Sequence, residues 1–329
     1  MKRAEAEEVM EELLSGRVAT ADAVRLLAAL NARPYRAEEL AAFARVMRRH
    51  AAVVFAEGAD LPARMVDTCG TGGDDSGTFN ISTAAAIVAA AAGARVAKHG
   101  NRAASSKAGS ADVLEALGVR IDLPFAETGR GIREIGIGFL FAQAAHTAMR
   151  HVMPARRQIG VRTVFNLLGP LTNPARAQAQ VLGVFSVAVV DLVAETLAEL
   201  GTEHSLVVHG AGGLDEISLL GPTVVAEVKN GSVRKFEVTP EELGVARAAM
   251  EAIRGGEPAE NAELISGILN GKVVGPAKDI VVVNAGAALV AGGRAGSLAE
   301  GARMAEKSVE SGAAREKLEE MRKFSGGKA

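Results

Sequence analysis

The 329-residue chain is poor in the residues that several common classes of protein require. Its one cysteine, Cys69, excludes an intrachain disulfide and a zinc site built from several cysteines, and it favours a reducing, cytoplasmic setting. Aromatic residues make up 3% of the chain, with no tryptophan and one tyrosine, so a platform for stacking exposed bases has little material. The 37 basic residues are balanced by 39 acidic ones, which gives no general attraction to nucleic acid or to an anionic membrane.

Long apolar segments are also missing. The two longest runs, residues 84–94 and 280–293, are rich in alanine and glycine and are shorter than the ~20 residues of a membrane-spanning helix, so we predict buried core elements. The basic N-terminal start has no apolar region behind it, which argues against a signal peptide. We therefore expect a cytoplasmic protein with no membrane and no nucleic-acid partner.

The periodicity of apolar residues predicts two regions. Residues 1–62 have apolar residues at helical spacing and are predicted to form a small all-helical N-terminal domain. Residues 63–329 alternate short β-prone runs with alanine-rich helical ones, which predicts a larger α/β domain with a mainly parallel central sheet. We expect a segment near 155–175 to rejoin the helical domain. Strands are predicted at 65–68, 94–97, 138–142, 180–184, 205–208 and 224–229, and a charged helix or helix pair at 297–324.

The strongest motif, residues 67–83, lies between a predicted strand and a predicted helix. Its glycines at 70, 72, 73 and 77 permit positive φ angles and a close approach of the backbone to a ligand. Asn80, Ser82 and Thr83 stand at the start of the next helix, where free N–H groups favour an anion. No Gly-Lys-Ser/Thr follows, and Asp75 replaces the third glycine of a dinucleotide motif. A tight turn with an ordinary helix cap explains only part of this pattern, so we predict a phosphate-binding loop.

A second strand–loop–helix, residues 97–112, contains three cations, Lys98, Arg102 and Lys107, among several serines. A solvated surface loop is the alternative, but Lys98 directly follows an apolar run, where ligands gather in open α/β sheets. Two such loops suggest a ligand with two phosphate groups. For Asp112 we favour a helix-capping role over ligand binding.

Two further signals leave alternatives open. Asp215 and Glu216 end a glycine-rich turn, and they are either Mg²⁺ ligands or an exposed acidic turn. Arg156 and Arg157 either bind a carboxylate or simply end a helix near Pro154. The six histidines are too scattered for a metal cluster, and no spacing supports a Ser-His-Asp triad.

Together, the motifs at 67–83, 98–118, 169–174 and 215–216 resemble those of the anthranilate phosphoribosyltransferase family. The resemblance covers most of residues 60–220. It implies that the amine of anthranilate displaces diphosphate from 5-phosphoribosyl-1-diphosphate, which is the second step from chorismate to tryptophan. It also implies a helical domain hinged to the α/β domain, two Mg²⁺ ions per monomer, and a homodimer that pairs through the helical domain.

The resemblance further implies roles for individual residues. Ser82, Asp215 and Glu216 would bind the metal, and Lys98 with the metal would stabilise the leaving group electrostatically, with no residue assigned as an acid or a base. The expected anthranilate-binding residues are Gly70, Asn101, Arg156, His99, His146 and Pro170. The expected residues for the phosphoribosyl donor are Gly70, Gly73, Asp74, Thr78, Asn80, Ile81, Ser82, Thr83, Lys98, His99, Gly100, Asn101, Arg102, Ala103, Ala104, Ser105, Ser106 and Ser110.

Two rival classes share the predicted fold. A pyrimidine nucleoside phosphorylase has a related Lys-His loop, but it would bind free phosphate without the Asp215–Glu216 pair and usually has a longer C-terminal domain. A non-enzymatic nucleic-acid-binding relative should have a basic groove, which the charge of −2 disfavours. One departure from the family is Thr147, since members usually have proline after the histidine that is here His146.

Overall fold

The computed structural model describes residues 1–74, 76–103 and 106–327. The N-terminal periodicity gives three helices whose apolar faces, including Leu27 and Phe43, are buried. Gly16 adopts a φ of 78° and ends the first helix, as glycine commonly does at this position. These helices are α1 (Arg3–Ser15), α2 (Thr20–Asn31) and α3 (Ala37–Arg49).

Within the described residues, seven strands form a single sheet. They are β1 (Met65–Gly70), β2 (Arg95–Gly100), β3 (Ile137–Phe141), β4 (Ala179–Gly183), β5 (His204–Gly210), β6 (Thr223–Lys229) and β7 (Ser232–Val238). The order is β3-β2-β1-β4-β5-β6-β7; the first five strands are parallel, and β6 and β7 are antiparallel additions. This arrangement, with the helical N-terminal part, confirms the predicted fold class.

The last strand, β7, was not predicted because five of its seven residues are exposed and three are charged, so it lacks a regular apolar alternation. It pairs with β6 through a turn at Asn230 and Gly231, whose φ angles are 49° and 79°. Positive φ at both positions suits the tight hairpin turn that an Asn-Gly sequence favours. The Asn-Gly pair was therefore the one local signal for this strand.

Helices cover both faces of the sheet. They are α4 (Ile81–Ala91), α5 (Ser110–Ala116), α6 (Phe125–Glu134), α7 (Ala142–Ala145), α8 (Met153–Ile159), α9 (Val164–Leu168), α10 (Val190–Glu199), α11 (Pro258–Leu269), α12 (Pro276–Ala291), α13 (Leu298–Glu310) and α14 (Ala313–Ser325). A 3-10 turn, Val187–Val189, leads directly into α10. The charged tail is a helix pair, broken at Gly312 with a φ of 82°.

Two large cores stabilise the chain. One packs α4, α12, α13 and α14 against the sheet. The other joins α1–α3 to residues of the 155–175 segment, among them Ala155, Phe165 and Leu171, and also to α10. The domain limits at 62 and 63 stay a prediction. In the part of the chain that the structure describes, no helix is long and apolar enough to cross a membrane.

Candidate active site

The predicted ligand loops meet at one edge of the sheet, at the carboxyl ends of its parallel strands. From β1 the chain builds outward through β2 and β3, whereas β4 and β5 extend the sheet in the opposite direction. The pairing of Gly70 on β1 with Gly183 on β4 marks the point where the order reverses. Ligands bind in the crevice at such a point in open α/β sheets. The sheet order therefore brings together the described parts of the loops that follow β1, β2 and β5.

The Asp215–Glu216 turn packs directly on the ends of β1 and β4. The amide of Gly72 donates to Asp215 Oδ2 at 3.0 Å, which fixes one of the carboxylates. A Cβ atom at Gly70 would collide with the Asp215 carboxylate, and one at Gly183 would collide with the Asp215 backbone carbonyl. Both strands thus end in glycine because the acidic turn occupies the space of a side chain. Asp215 and Glu216 are half-buried, so the alternative of an exposed acidic turn is wrong.

Among the described residues, three carboxylates, Asp74, Asp215 and Glu216, lie close together and form an acidic corner at the ends of β1 and β4. Burial, together with the neighbouring Asp74 carboxylate, raises the pKa of Asp215 to about 7. Burial and the charge of Asp215 raise the pKa of Glu216 well above its usual value, against the opposing effect of Lys98. Such a group of hard oxygen donors is stabilised by a cation and therefore fits Mg²⁺.

These oxygen groups are also consistent with a metal ion that is bound partly by the protein and partly by a ligand. Among residues 1–74, 76–103 and 106–327, no group of three His, Cys, Asp or Glu side chains forms a complete metal cage. Magnesium commonly uses one or two carboxylates and completes its shell with water and substrate phosphates. Ser82 is near enough to take part, because its backbone N–H interacts with the Glu216 carboxylate.

Lys98 is an interior cation rather than part of a solvated loop. Its side chain is 3% exposed, and Nζ donates to the Thr68 carbonyl at 2.5 Å and lies 3.3 Å from Ser82 Oγ. Burial lowers the pKa of Lys98, and the nearby acids, led by Asp67, oppose that shift. The ammonium group therefore lies beside the start of α4, where the helix dipole also favours an anion.

The loop after β1 uses its glycines as predicted, since Gly72, Gly73 and Gly77 have φ angles of 64°, 70° and 67°. Asn80 does not cap α4 with its side chain. Its Nδ2 donates to the Ala108 carbonyl at 3.0 Å, which ties this loop to the one after β2.

Two residues of the expected donor set face the interior. Ile81 is 1% exposed, so its side chain contributes to the core. The Thr83 hydroxyl is buried without a partner and lines an internal cavity with Ile87 and Leu114. Thr83 lies one helical turn before Ile87, on the core-facing side of α4. The structure therefore does not bring the Thr83 hydroxyl to the sheet edge.

In the loop after β2, Arg102 is engaged by acids of the following helix. Its guanidinium pairs with Asp112 at 2.8 Å and Glu115 at 2.6 Å, and these acids raise the pKa of Arg102. Asp112 also accepts the backbone N–H groups of Ala103 and Gly109 at 2.9 and 3.0 Å, which confirms its capping role. Asn101 and Ser106 are exposed, and Ser110 is half-buried.

Gly100 allows neighbouring segments to pack closely, and Thr78 pairs with a distant segment. A Cβ atom on Gly100 would meet the Phe139 ring at 2.8 Å and the Cβ of Ser110 at 3.0 Å. Thr78 forms an isolated β-bridge with Arg254, which joins the first loop to the segment before α11. The expected donor residues Ala104 and Ser105 lie outside the described residues.

Three of the expected acceptor residues lie together. The rings of His99 and His146 are 5.2 Å apart in an edge-to-face arrangement. His146 Nε2 is 3.4 Å from Thr172 Oγ1, and Thr172 shares a 3-10 turn with Pro170. Burial lowers the pKa of His99 to about 3 and that of His146 to about 4, so both rings are neutral at pH 7. The two rings and the Pro170 turn form an uncharged cluster, which suits contact with an aromatic ring.

The neutral histidines predict a pH-dependent stability. Between pH 6.5 and about 4 the unfolded chain binds a proton at His146 that the folded chain does not, so stability falls as the pH falls. We expect His146→Asn to flatten the unfolding free energy in that window by up to about 1.4 kcal/mol per pH unit. Urea unfolding at pH 4.5, 5.5, 6.5 and 7.5 measures this. Parallel curves for the variant and the wild type would contradict the neutral, buried state of the ring.

Arg156 lies on α8 with its guanidinium 5.6 Å from the centre of the Phe165 ring. Burial lowers the pKa of Arg156 but leaves it charged at pH 7. No carboxylate of residues 1–74, 76–103 or 106–327 pairs with it, and its hydrogen-bond partner is Met153 Sδ at 3.9 Å. Arg157, the other candidate, is exposed. Arg156 is thus a half-buried cation available for an anionic ligand.

The sequence reasoning missed a polar network beneath the site. Asp67 is fully buried, and its carboxylate accepts the His99 amide at 3.0 Å and Asn173 Nδ2 at 2.8 Å. Asn173 also donates to the Ala97 carbonyl at 2.7 Å. The network fixes β2 and the Pro170 turn relative to β1. An acid inside an apolar strand was the available signal, although its partners are distant in sequence.

Comparison with known proteins agrees with this geometry. Residues 62–315 match the model of the glycosyl transferase family a/b domain, and residues 1–51 match that of the glycosyl transferase family helical bundle domain. Anthranilate phosphoribosyltransferase of Symbiobacterium thermophilum is 50% identical over 324 residues, which are 98% of this chain and 94% of the relative.

Solved structures agree as well. The crystal structure of anthranilate phosphoribosyltransferase from Thermus thermophilus has a TM-score of 0.93 and 49% identity, covering 99% of this chain and 96% of that one. The enzyme from Saccharomyces cerevisiae in complex with PRPP and Mg has a TM-score of 0.89 and 28% identity, covering 99% and 93%. By these matches the chain belongs to the glycosyl transferase family and, within it, to the anthranilate phosphoribosyltransferases, which confirms the resemblance predicted from its sequence.

Proposed function

We propose that this chain transfers the phosphoribosyl group of 5-phosphoribosyl-1-diphosphate to the amine of anthranilate, giving N-(5-phosphoribosyl)anthranilate and diphosphate, with Mg²⁺ bound at the acidic corner. The observation that carries the proposal is the convergence at one sheet edge of a glycine-rich loop, the buried cation Lys98 and the Asp215–Glu216 turn. An anionic donor and a divalent metal neutralise each other's charges in such a corner.

The donor is held by the two loops. The backbone of Gly73, the Ser82 hydroxyl and the positive N-terminal end of the α4 dipole face the phosphate oxygens. Lys98 supplies a fixed positive charge, and Arg102 reaches the donor after leaving Asp112 and Glu115. The other donor residues assigned from the family resemblance belong to the same proposal, except for the side chains of Ile81 and Thr83, which are buried in the core.

The chemistry requires little proton transfer. The aryl amine is neutral at pH 7, so its nitrogen attacks the ribosyl carbon without a strong base, and its proton leaves to solvent as the carbon–oxygen bond to diphosphate breaks. Lys98 and the positive N-terminal end of the α4 dipole stabilise the negative charge that grows on diphosphate. When bound, Mg²⁺ held by Asp215, Glu216 and Ser82 neutralises part of that charge. Holding the amine in line with the breaking bond supplies much of the remaining rate enhancement.

The acceptor lies on the histidine side of the cleft. The neutral rings of His99 and His146 and the Pro170 turn contact the aromatic ring, Asn101 contributes polar contacts, and Arg156 binds the carboxylate of anthranilate. No group in this arrangement is required to change its protonation state during the reaction.

The direct test is the loss of anthranilate fluorescence when the protein is mixed with anthranilate, 5-phosphoribosyl-1-diphosphate and Mg²⁺, with and without EDTA. We expect decay that EDTA abolishes and that added Mg²⁺ restores. Decay that persists in EDTA would overturn the metal assignment. No decay in any mixture would overturn the activity, and thymidine with phosphate, and DNA, would then be tested as ligands.

Arg156→Ala is expected to raise the KM for anthranilate about tenfold or more while the KM for the donor stays within twofold. The reason is the loss of a charged hydrogen bond to the acceptor carboxylate, which contributes roughly 1.5–3 kcal/mol. Arg157→Ala on the same helix is the matched control and should leave both constants within twofold. An unchanged anthranilate KM for Arg156→Ala would remove this residue from the site.

Several broader features belong to the same proposal. Two Mg²⁺ ions bind per protomer, and the homodimer pairs through the helical N-terminal part. The domain limit near residue 62 is supported by the separate family-model matches at 1–51 and 62–315. Metal titration in the presence of diphosphate measures the number of Mg²⁺ ions per protomer. Light scattering of the full chain measures whether it forms a dimer. The cytoplasmic setting stays a prediction from the single cysteine.

A further inference from the structure

One buried polar side chain outside the predicted site lies directly beneath the acidic turn. Asn284 is 2% exposed on α12, and it is the one polar side chain in the apolar run from residue 280 to residue 291. Its Oδ1 accepts the Ile217 amide at 2.9 Å, and its Nδ2 donates to the Ile217 carbonyl at 2.9 Å. A second Nδ2 bond goes to the Ile280 carbonyl at 2.9 Å. The amide therefore binds both backbone groups of the residue that follows Glu216.

This pairing is more than general packing. A buried amide lowers stability unless its hydrogen bonds are made, and here three of four are made. Two of the three go to Ile217 in the acidic turn, so both the N–H and the carbonyl of this residue are held in place. Asn284 and Glu216 also line one small cavity, which Ser82 shares. The side chain thus connects the central buried helix to the proposed metal-binding groups.

A second hydrogen bond to a buried side chain holds the backbone at Ser218, one residue after Ile217. Thr223, at the start of β6, is fully buried, and its Oγ1 accepts the Ser218 amide at 2.9 Å. Ser218 Oγ in turn donates to the Ala211 carbonyl at 2.8 Å, across the base of the same turn. Together with the Gly72 contact to Asp215, these bonds hold the turn from both sides.

We propose that Asn284 is a positioning residue for the metal site, with Thr223 as a weaker second one. Asn284 holds the Ile217 backbone so that Asp215 and Glu216 present their oxygens to Mg²⁺ and the donor. The inference rests on the function proposed above. Groups that orient metal-binding side chains typically change metal affinity by about 10- to 100-fold when they are removed.

The test uses the full-length protein and Asn284→Ala. We expect the Mg²⁺ concentration for half-maximal activity to rise about tenfold or more, while the anthranilate KM at saturating Mg²⁺ stays within twofold. Electron paramagnetic resonance of Mn²⁺ with diphosphate present gives a readout without turnover, and its Kd should weaken by a similar factor. Ser308→Ala is the matched control, because Ser308 is a buried polar residue of α13 that bonds to Ala305 and Val88 and should change neither value.

A second pair of variants covers the case in which Asn284→Ala does not fold. Thr223→Val keeps the shape but loses the acceptor for Ser218, and we expect a two- to fivefold rise in both metal constants. Thr223→Ser keeps the hydroxyl and should restore them. Lower stability of Asn284→Ala with unchanged metal constants would overturn the inference, and so would unchanged constants in Thr223→Val. An inactive wild type would instead overturn the proposed function, and the Mn²⁺ measurement would still decide the role of Asn284.

Discussion

Glu216→Gln is expected to lower turnover by about a hundredfold or more while the chain stays folded and becomes no less stable. The loss of turnover follows from the proposed role of Glu216 as an oxygen ligand of Mg²⁺, since an amide oxygen is a weaker ligand for a hard cation than a carboxylate. The retained stability follows from electrostatics. Burial and Asp215 raise the pKa of Glu216, so the ionised group opposes folding when no metal is bound.

The raised pKa of Glu216 makes the stability of the wild type depend on pH. A raised pKa in the folded state means that the folded chain holds a proton that the unfolded chain releases, so stability falls as the pH rises above the ordinary value for glutamate. Glutamine at position 216 does not ionise, so the variant does not lose this stability as the pH rises. We therefore expect the Tm of Glu216→Gln in EDTA to equal that of the wild type near pH 4 and to exceed it at pH 8.

Differential scanning calorimetry at both pH values, paired with the fluorescence assay, measures these effects. Glu237→Gln on the exposed strand β7 is the control for the loss of one negative charge and should change neither Tm nor turnover. Asp215→Asn is expected to behave as Glu216→Gln does. Equal activity with equal melting in both site variants would overturn the metal assignment.

The positions of the loops were predictable because they depend on local pattern. Strand and helix signals alternate along residues 63–200, and a parallel sheet places every loop that follows a strand at one edge. The glycines of the first loop and Lys98 stand at fixed offsets from their strands. The sequence therefore indicated most of the site, and the structure adds the distances.

What could not be predicted depends on contacts between distant residues. Nothing in the local sequence indicates that position 183 must be glycine. The reason is the Asp215 backbone, which comes from a distant turn and packs where a side chain of residue 183 would lie. Asn284 and Asp67 were visible as lone polar residues in apolar runs, but their partners come from other elements. The pairing of Arg102 with Glu115 was also hidden, because a basic loop next to an anion site suggests a ligand contact first.

Lys98→Met is expected to have the largest combined effect, with turnover lower by roughly 10²–10³ and the free energy of unfolding lower by about 3–5 kcal/mol. The activity is lost because the buried ammonium group stabilises the charge on departing diphosphate. The stability is lost because Lys98 is the cation that opposes the raised pKa of Glu216 and also acts on the buried Asp67. Its removal leaves those acids without compensation in an interior where charge is poorly solvated.

The double variant Lys98→Met/Glu216→Gln separates the two effects. If Lys98 stabilises the fold by neutralising the acidic corner, the double variant should regain much of the stability that Lys98→Met loses, because one of the uncompensated acids is gone. It should regain no turnover, since both the cation and a metal ligand are missing. Urea unfolding in EDTA gives the coupling energy from the four proteins of the cycle. Additive changes in the free energy of unfolding would contradict the electrostatic link, and a Lys98→Met protein as stable as the wild type would show that the buried lysine is not the counter-charge of the corner.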